Sequence, residues 1–437
     1  MFKSRFFWIA LILALVLAGI WFLLEGDLTP PKITLQKKIE FIGQNQEIEF
    51  SVEDQKSGTM FVQVLIKQDS IEKNVSRFAF PTKGIHRKNL KLTIKPKSLG
   101  IKDGKATMII SAKDYSIFDN ETRLEKEFII DTQPPRIEMS SLNHYISMGG
   151  SCMATYNVSK DALKSGVIAG DLFFKGYPVA PNGAYVAYFA LPWTASTSTP
   201  IMLMAQDSAG NIAKVSFHHS VLKKRFKKDK INISDRFLNK KMPEFSARYD
   251  NLKGRNIDIF LQINRELRKE NNLKIKAICN QPHTKKLWEG PFLRMQGSPK
   301  AQFADTRTYY YKGKAVDKQV HMGVDIAALK QFPVKTANNG MVVFADYLGI
   351  YGNTIIIDHG QGLFSMYSHL SGFRVKSGIE VKKGNLIGNT GATGLAGGDH
   401  LHFSIILHGV FVNPKEWWDS HWIKDNITAK LRPDKSK

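Results

Sequence analysis

Hydrophobic positions follow four successive patterns along this chain. Phe6 to Leu24 is an uninterrupted run of 19 residues without a charge. At 1.5 Å per residue it reaches roughly 28 Å as a helix, enough for a hydrocarbon core of about 30 Å. From Leu28 to about Leu222 the apolar residues instead fall in short segments such as IEFSV (48–52), FVQVLI (61–66), LKLTI (90–94) and ATMIISA (106–112), set between Gly, Asp, Asn and Pro, which predicts β-strands. Within 256–272, Phe260, Ile263 and Leu267 stand at i, i+3 and i+7 before Asn271 and Asn272, predicting an amphipathic helix that stops there. Beyond residue 290 strand patterns return as MVVFA (341–345), NTIIIDH (353–359) and LFSMYSH (363–369), with glycines at 349, 352, 360, 362 and 372 marking the turns. The fold class expected is mainly β.

The β-rich part before residue 222 is internally duplicated. LTPPKI (28–33) recurs as TQPPRI (132–137), VEDQKSG (52–58) as VSKDALKSG (158–166), and SAKDYS (111–116) as MAQDSAGN (204–211). Each copy opens on Pro-Pro and closes on an Ala-x-Asp strand and turn, in modules of about 100 residues. The pair resembles tandem immunoglobulin-like β-sandwiches of bacterial envelope proteins, which implies spacers without chemistry of their own. The expected organisation is a stub and membrane anchor at 1–27, modules at 28–131 and 132–222, a basic linker with a helix at 223–290, and a C-terminal domain at 291–437.

Charge changes this picture in one respect. The chain holds 62 Lys and Arg against 39 Asp and Glu, a formal +23, which suggests an anionic partner. The surplus is densest in residues 221–290, with 19 basic against 8 acidic residues. Lys3 and Arg5 precede the apolar run while Glu25 and Asp27 follow it, so the positive-inside rule places everything after Asp27 outside the cytoplasm. The run lacks the small-x-small end of a cleaved signal peptide, so an uncleaved inner-membrane anchor is expected, with the body in the periplasm. That setting excludes nucleic acid as partner and leaves wall polymer or lipid headgroups. Two cysteines, Cys152 and Cys279, exclude a disulfide scaffold and a Cys-based zinc ribbon and read as packed thiols.

Chemistry concentrates in the last third, where seven of the twelve histidines follow residue 320. HMGVD (321–325), MYSHLS (366–371) and GGDHLHF (397–403) organise them. Alternation along a strand turns His400 and His402 the same way, so that one binds a metal while the other faces a substrate. His321 and Asp325 are too far apart in an extended chain to share an ion, and Gly323 is expected to provide the turn that brings them together. Two imidazoles and a carboxylate then form a three-ligand catalytic zinc set with one open position. His369 follows Tyr367 at the spacing of one strand face and suits proton transfer or oxyanion stabilisation. The pair Trp417 and Trp418 reads as packing.

Over about residues 291–418 these motifs resemble the lysostaphin/LytM family of zinc metallopeptidases, which cleave peptide bonds in peptidoglycan. HMGVDIA is similar to the family's first metal motif, GIYGNTIIIDHGQGLFSMYSHLSG (349–372) to its central hairpin, VKKGNLIGNTGATG (381–394) to its Gly-rich turn, and GGDHLHF with Asn413-Pro414 to its closing strand. The resemblance implies an antiparallel β-sheet domain with one Zn²⁺ in an open groove. It makes His321, Asp325 and His402 the zinc ligands, His400 the general base or acid, and His369 a second partner of the transition state. Tyr351, Asn353 and Tyr367 are further expected to contact the peptide stem, and Arg307 with Tyr309, Tyr310 and Tyr311 is either a further stem contact or edge-strand surface. Where many relatives carry Phe-Gly-x-Arg, this chain reads FADTR (303–307), which reshapes that groove wall.

The function expected is therefore cleavage of peptidoglycan cross-links, with D,D-endopeptidase specificity ahead of D,D-carboxypeptidase or Gly-Gly cleavage. The rival class is a non-catalytic activator of another wall hydrolase; such relatives lose ligands, and none of the five key positions is lost here. A plain adhesion scaffold leaves the histidines unexplained. A regulatory protein partner is expected if residues 256–290 cover the groove.

Overall fold

The computed structural model describes residues 2–179 and 184–431. Two compact units form: Met1–Pro135 with Gln206–Ile212, and Arg136–Ala205 with Ala213–Lys437.

In the first unit the helix Phe2–Glu25 covers the predicted apolar run. The side chains of residues 2–6, 18 and 20–25 lie outside what is described, and among the described residues no helix is long and apolar enough to cross a membrane. After the helix come two sheets. One is antiparallel, Lys32–Leu35 beside Gln46–Glu53 beside Arg87–Ile94. The other runs in the order Phe41–Ile42, Glu121–Ile130, Gly104–Asp114, Thr59–Gln68, Ile71–Ala79. Their buried side chains, among them Phe50, Val62, Val64, Leu92, Met108 and Ile110, form one core. This is a β-sandwich whose alternating strands bury one face and wet the other.

The second unit is organised around a central sheet ordered Ser298–Ala301, Val324–Ala327, Leu401–Leu407, Leu363–Leu370, Asn353–Asp358, Gly340–Tyr347, Glu380–Val381. All eight residues of Leu363–Leu370 and all seven of Leu401–Leu407 are buried, so both faces of the sheet are covered. Alternation sorts the side chains. Leu363, Tyr367, Ile355, Ile357, Phe403 and Ile405 join a core with Met153, Tyr188 and Phe189 of the strands in 136–222. Phe364, Met366, Ile356 and Ile406 join a second core with Phe260, Ile263, Leu267 and Ile275.

The neck expected to be a basic linker is folded into that second core. Lys228–Ile233 is a strand running parallel to Thr306–Tyr311, which in turn pairs with Lys314–Val320. The tyrosines 309–311 therefore occupy a central strand, not an edge. Asp235–Ser246 is a helix capped by Ser234, whose side chain accepts from Phe237 N. The predicted helix runs from Asn256 to Ile278, widening into a π-turn at Ile263–Leu267, and passes straight through the expected Asn stop. The reason is tertiary. Asn271 Oδ1 accepts from Ile350 N at 2.9 Å and Asn272 Oδ1 from the Tyr351 hydroxyl at 2.8 Å, so both amides are engaged outside their own helix. Both cysteines are free and buried.

One contact between the 136–222 strands and the C-terminal domain is titratable. Glu416 Oε2 accepts from Ser151 N at 2.8 Å and Ser151 Oγ at 2.9 Å, and Trp417 Nε1 donates to the same hydroxyl at 3.0 Å. Burial raises the Glu416 carboxyl to about 7, the Ser151 donors only partly offsetting it. Between the ordinary carboxyl range and pH 7 the folded state then holds a proton that the unfolded chain releases. Stability conferred by protonated Glu416 is complete below the unfolded value and lost as pH rises through about 7. The residue is half-buried, which screens the effect to about 1–2 kcal/mol. Glu416→Gln is expected to match wild type at pH 4 and exceed it by that amount at pH 8 in denaturant unfolding. An unchanged wild-type-minus-variant difference across that range would show that the carboxyl is not protonated in the fold.

Candidate metal centre

His321 leaves the strand Lys314–Val320 and is clasped at both ends of its peptide unit: its N–H donates to Asp305 O at 3.0 Å and its carbonyl accepts from Ala304 N at 2.7 Å. Asp325 lies in Val324–Ala327 directly opposite His402 in Leu401–Leu407. Cross-strand partners are about 5 Å apart at Cβ, which is the distance two ligands of one ion need. Gly323 has an ordinary backbone; its role is close approach. A Cβ there would lie 2.5 Å from Phe403 O and 2.6 Å from His402 Nε2.

The three side chains converge. His321 Nε2 is 2.8 Å from Asp325 Oδ1 and 2.9 Å from His402 Nδ1, and His402 Nδ1 is 2.9 Å from Asp325 Oδ1. The opposite ring nitrogens decide the tautomers. His321 Nδ1 lies 2.9 Å from the Gln302 carbonyl and must donate to it. Ser404 Oγ donates its own proton to Met322 O, so it accepts from His402 Nε2 at 3.1 Å. Both imidazoles therefore turn a lone pair toward a carboxylate oxygen, an acceptor-only cluster that a cation satisfies. Arg307 donates to the other carboxylate oxygen, Asp325 Oδ2, at 3.0 Å.

Electrostatics agree. Burial lowers His402 to about 4 and holds His369 well below the ordinary imidazole value, so both rings are neutral at pH 7.

Two further rings flank the cluster. His400 Nε2 is 3.6 Å from Asp325 Oδ1, and its ring lies 4.8 Å from that of His369. His400 Nδ1 donates to Gly398 O at 2.8 Å and His369 Nδ1 to Thr393 O at 2.8 Å. His369 adopts φ +63°, a left-handed conformation that strains a non-glycine residue. That kink turns it to the face of His402, whereas Tyr367, two residues earlier, faces the opposite core. The expected shared face of Tyr367 and His369 is thus overturned, and so is stem contact by Tyr367. Its hydroxyl, 1% exposed with its residue, already serves Ala337 N and Ser365 Oγ.

The cluster opens into a cavity of about 330 Å³. Arg307 and Tyr351 line it with the four histidines; Asn353 does not, its backbone N–H being bound to Thr393 Oγ1. Part of the wall comes from the neck, through Ile231, Ile233, Phe237, Phe260 and Arg268. These residues were not identified from the sequence, and neither were Gln302 and Ser404, which orient the ligands. Ser404 alone had a local signal, as the next residue on the His402 face. Ala304 stands where many relatives carry glycine and has φ +63°, and Arg307, one residue later than the family spacing, still reaches Asp325. His359 is a buried structural residue held by Asn339 O and Ser365 Oγ. Trp417 is fully buried packing.

Residues 319–414 match Peptidase family M23. The C-terminal region carries an M23 peptidase domain. Over 96 residues the chain is 38% identical to the DD-carboxypeptidase/endopeptidase Mpg of Neisseria meningitidis serogroup B, covering 22% of each. It is 40% identical over 93 residues to the peptidoglycan DD-endopeptidase ShyA of Vibrio cholerae, covering 21% of this chain and 22% of the relative. It is also 35% identical over 95 residues to the murein hydrolase activator EnvC of Escherichia coli, covering 22% of this chain and 23% of the relative. The chain thus spans little more than a fifth of the length of these curated relatives. The first-unit sandwich, the strands in 136–222 and the whole of the neck lie outside the M23 match.

Proposed function

We propose that this protein is a zinc-dependent peptidoglycan hydrolase that cleaves peptide cross-links, with D,D-endopeptidase specificity. The observation that carries this reading is the acceptor-only cluster of His321 Nε2, Asp325 Oδ1 and His402 Nδ1, with two unliganded imidazoles beside it in one cavity. The set of two imidazoles and a carboxylate fits Zn²⁺, which when bound supplies Lewis acidity toward the scissile carbonyl and the attacking water. His400, with Nδ1–H fixed on Gly398 O, presents a basic Nε2; it takes the proton of the attacking water and delivers it to the leaving amine. His369 is held in the same tautomer by Thr393 O, so its Nε2 is an acceptor first. It donates to a developing oxyanion only after it has gained a proton. Tyr351 and Arg307 are the stem contacts retained, since both line the cavity.

The apolar run 6–24, whose described side chains Phe7, Trp8 and Leu13 are exposed, supports an inner-membrane anchor with the M23 domain in the periplasm. The duplicated strands support two immunoglobulin-like modules as spacers. The neck residues in the cavity wall support control of access by a partner protein.

Incubating zinc-loaded protein with cross-linked wall fragments is expected to release new free amines. Mass spectrometry of products from a defined cross-linked dimer distinguishes endopeptidase from carboxypeptidase cleavage. No release by zinc-loaded protein, with stimulation of a second hydrolase, would replace this reading by that of an activator.

A further inference from the structure

A second cluster of ionisable groups lies in the first unit. Asp27, Asp54 and Asp114 are 1%, 2% and 1% exposed, and one carboxylate oxygen of each lies within 4.8 Å of the others. They come from three places in the sequence: the start of the chain after the helix Phe2–Glu25, the end of the strand Gln46–Glu53, and the end of the strand Gly104–Asp114.

Five of the six oxygens have donors. Asp27 Oδ1 accepts from Thr29 N and Oγ1 at 3.0 and 2.6 Å, and its Oδ2 from Ser57 N at 3.0 Å. Asp54 Oδ1 accepts from Lys56 N and Gly58 N at 3.1 and 2.7 Å. Asp114 Oδ1 accepts from Ser116 N at 3.0 Å and Oδ2 from Asn120 Nδ2 at 2.9 Å. Asp54 Oδ2 is buried with no partner. A buried carboxylate oxygen without a donor is costly, and here the charges bearing on it are two more carboxylates.

The internal repeat supplies a control. In the second copy Asp207 Oδ2 accepts from Asn211 Nδ2 at 2.8 Å, and that amide also donates to Asp131 O at 2.7 Å. The first copy repeats this closure, Asn120 Nδ2 bridging Asp114 Oδ2 and Asp27 O, both at 2.9 Å. The turn thus closes in the same way in both copies, but among the described residues the buried acidic cluster stands in the first copy and not in the second. Asp161, in the segment that corresponds to the one holding Asp54, is exposed. Closing the turn does not require the third carboxylate.

We propose that Asp27, Asp54 and Asp114 bind one calcium ion. All-oxygen, triply acidic donors without nitrogen or sulfur select a hard divalent cation, and Ca²⁺ accepts the irregular geometry of carboxylates already held by other hydrogen bonds, which octahedral Mg²⁺ does not. Asp54 Oδ2 is the ligand that lacks any other partner. The ion ties residue 27, two positions past the helix, to two strand ends and so stiffens the exit from the N-terminal helix.

The test uses full-length, detergent-solubilised, zinc-loaded protein passed through EGTA and titrated with CaCl₂ by calorimetry. One calcium per chain is expected, with a dissociation constant of about 0.1–1 mM, the range of extracellular modules. Asp54→Asn should bind at least about 10-fold more weakly while keeping its circular dichroism. His402→Ala should bind calcium as wild type does, separating this site from the zinc cluster. Folded wild-type protein that takes up no calcium at about 10 mM overturns the proposal, and so does an Asp54→Asn protein that binds as tightly as wild type. Magnesium binding of equal strength overturns the calcium assignment. If Asp54→Asn does not fold, Asp54→Ser and the wild-type titration decide.

Discussion

His402→Ala is expected to give a folded protein that retains no zinc and releases no amines above background. The ring supplies one of three protein ligands, and its Nδ1 has no role in the fold beyond facing His321 and Asp325. Loss of an orienting hydrogen bond behind a ligand costs roughly 10–100-fold in metal affinity. Loss of the ligand itself should exceed this, and turnover falls with the metal. The fold survives because Leu401, Phe403 and Ile405, which hold that strand in the core, remain. His400→Ala provides the contrast. It leaves all three ligands and should keep a full complement of zinc while turnover drops by about 10²–10⁴, the usual value of a general base. Zinc content by plasma mass spectrometry beside amine release separates the two effects. Full turnover of the metal-free protein would end the zinc scheme.

Removing the neck is expected to unfold the M23 domain, not to release it. A chain beginning at Gly290 keeps the whole M23 match but discards the helices Asp235–Ser246 and 256–278. Val324, Ile326, Ile356, Phe364, Met366 and Ile406 share their core with Phe245, Phe260, Ile263, Leu267 and Ile275. Exposing six large apolar side chains at roughly 1.5–3 kcal/mol each costs on the order of 10 kcal/mol, as much as an ordinary domain possesses. The truncated protein should be insoluble or bind a hydrophobic dye, with little cooperative unfolding. A soluble, cooperatively folded fragment with turnover equal to the full chain would show that the neck is neither core nor cover.

These expectations divide along the line between what local sequence carries and what it does not. FVQVLI was legible because pleating imposes a period of two, and LFSMYSH as a short apolar segment bounded by turn glycines. The candidate ligands His321, Asp325 and His402 were legible because metal ligation restricts residue type and spacing. Beyond its predicted helix the neck was misread as linker because the strand Lys228–Ile233 and the helix Asp235–Ser246 are short and highly charged, and their apolar residues acquire meaning only against the sheet they cover. Asn271 and Asn272 carry a stop signal in isolation; here their amides are used by Ile350 and Tyr351, 79 residues away in the chain. Tyr367 was assigned to the His369 face because alternation holds only while φ stays negative, and at His369 it does not.

By itself the sequence determined the β character of the chain, the M23 resemblance of its last third and the candidate ligands His321, Asp325 and His402, because each rests on residue type and local pattern. Tertiary structure alone decided the rest: which nitrogen each histidine turns inward, that the basic neck shares a hydrophobic core with the M23 sheet, and that three aspartates from distant segments lie together in a buried cluster. Those outcomes depend on groups brought together by packing, and packing has no local signature.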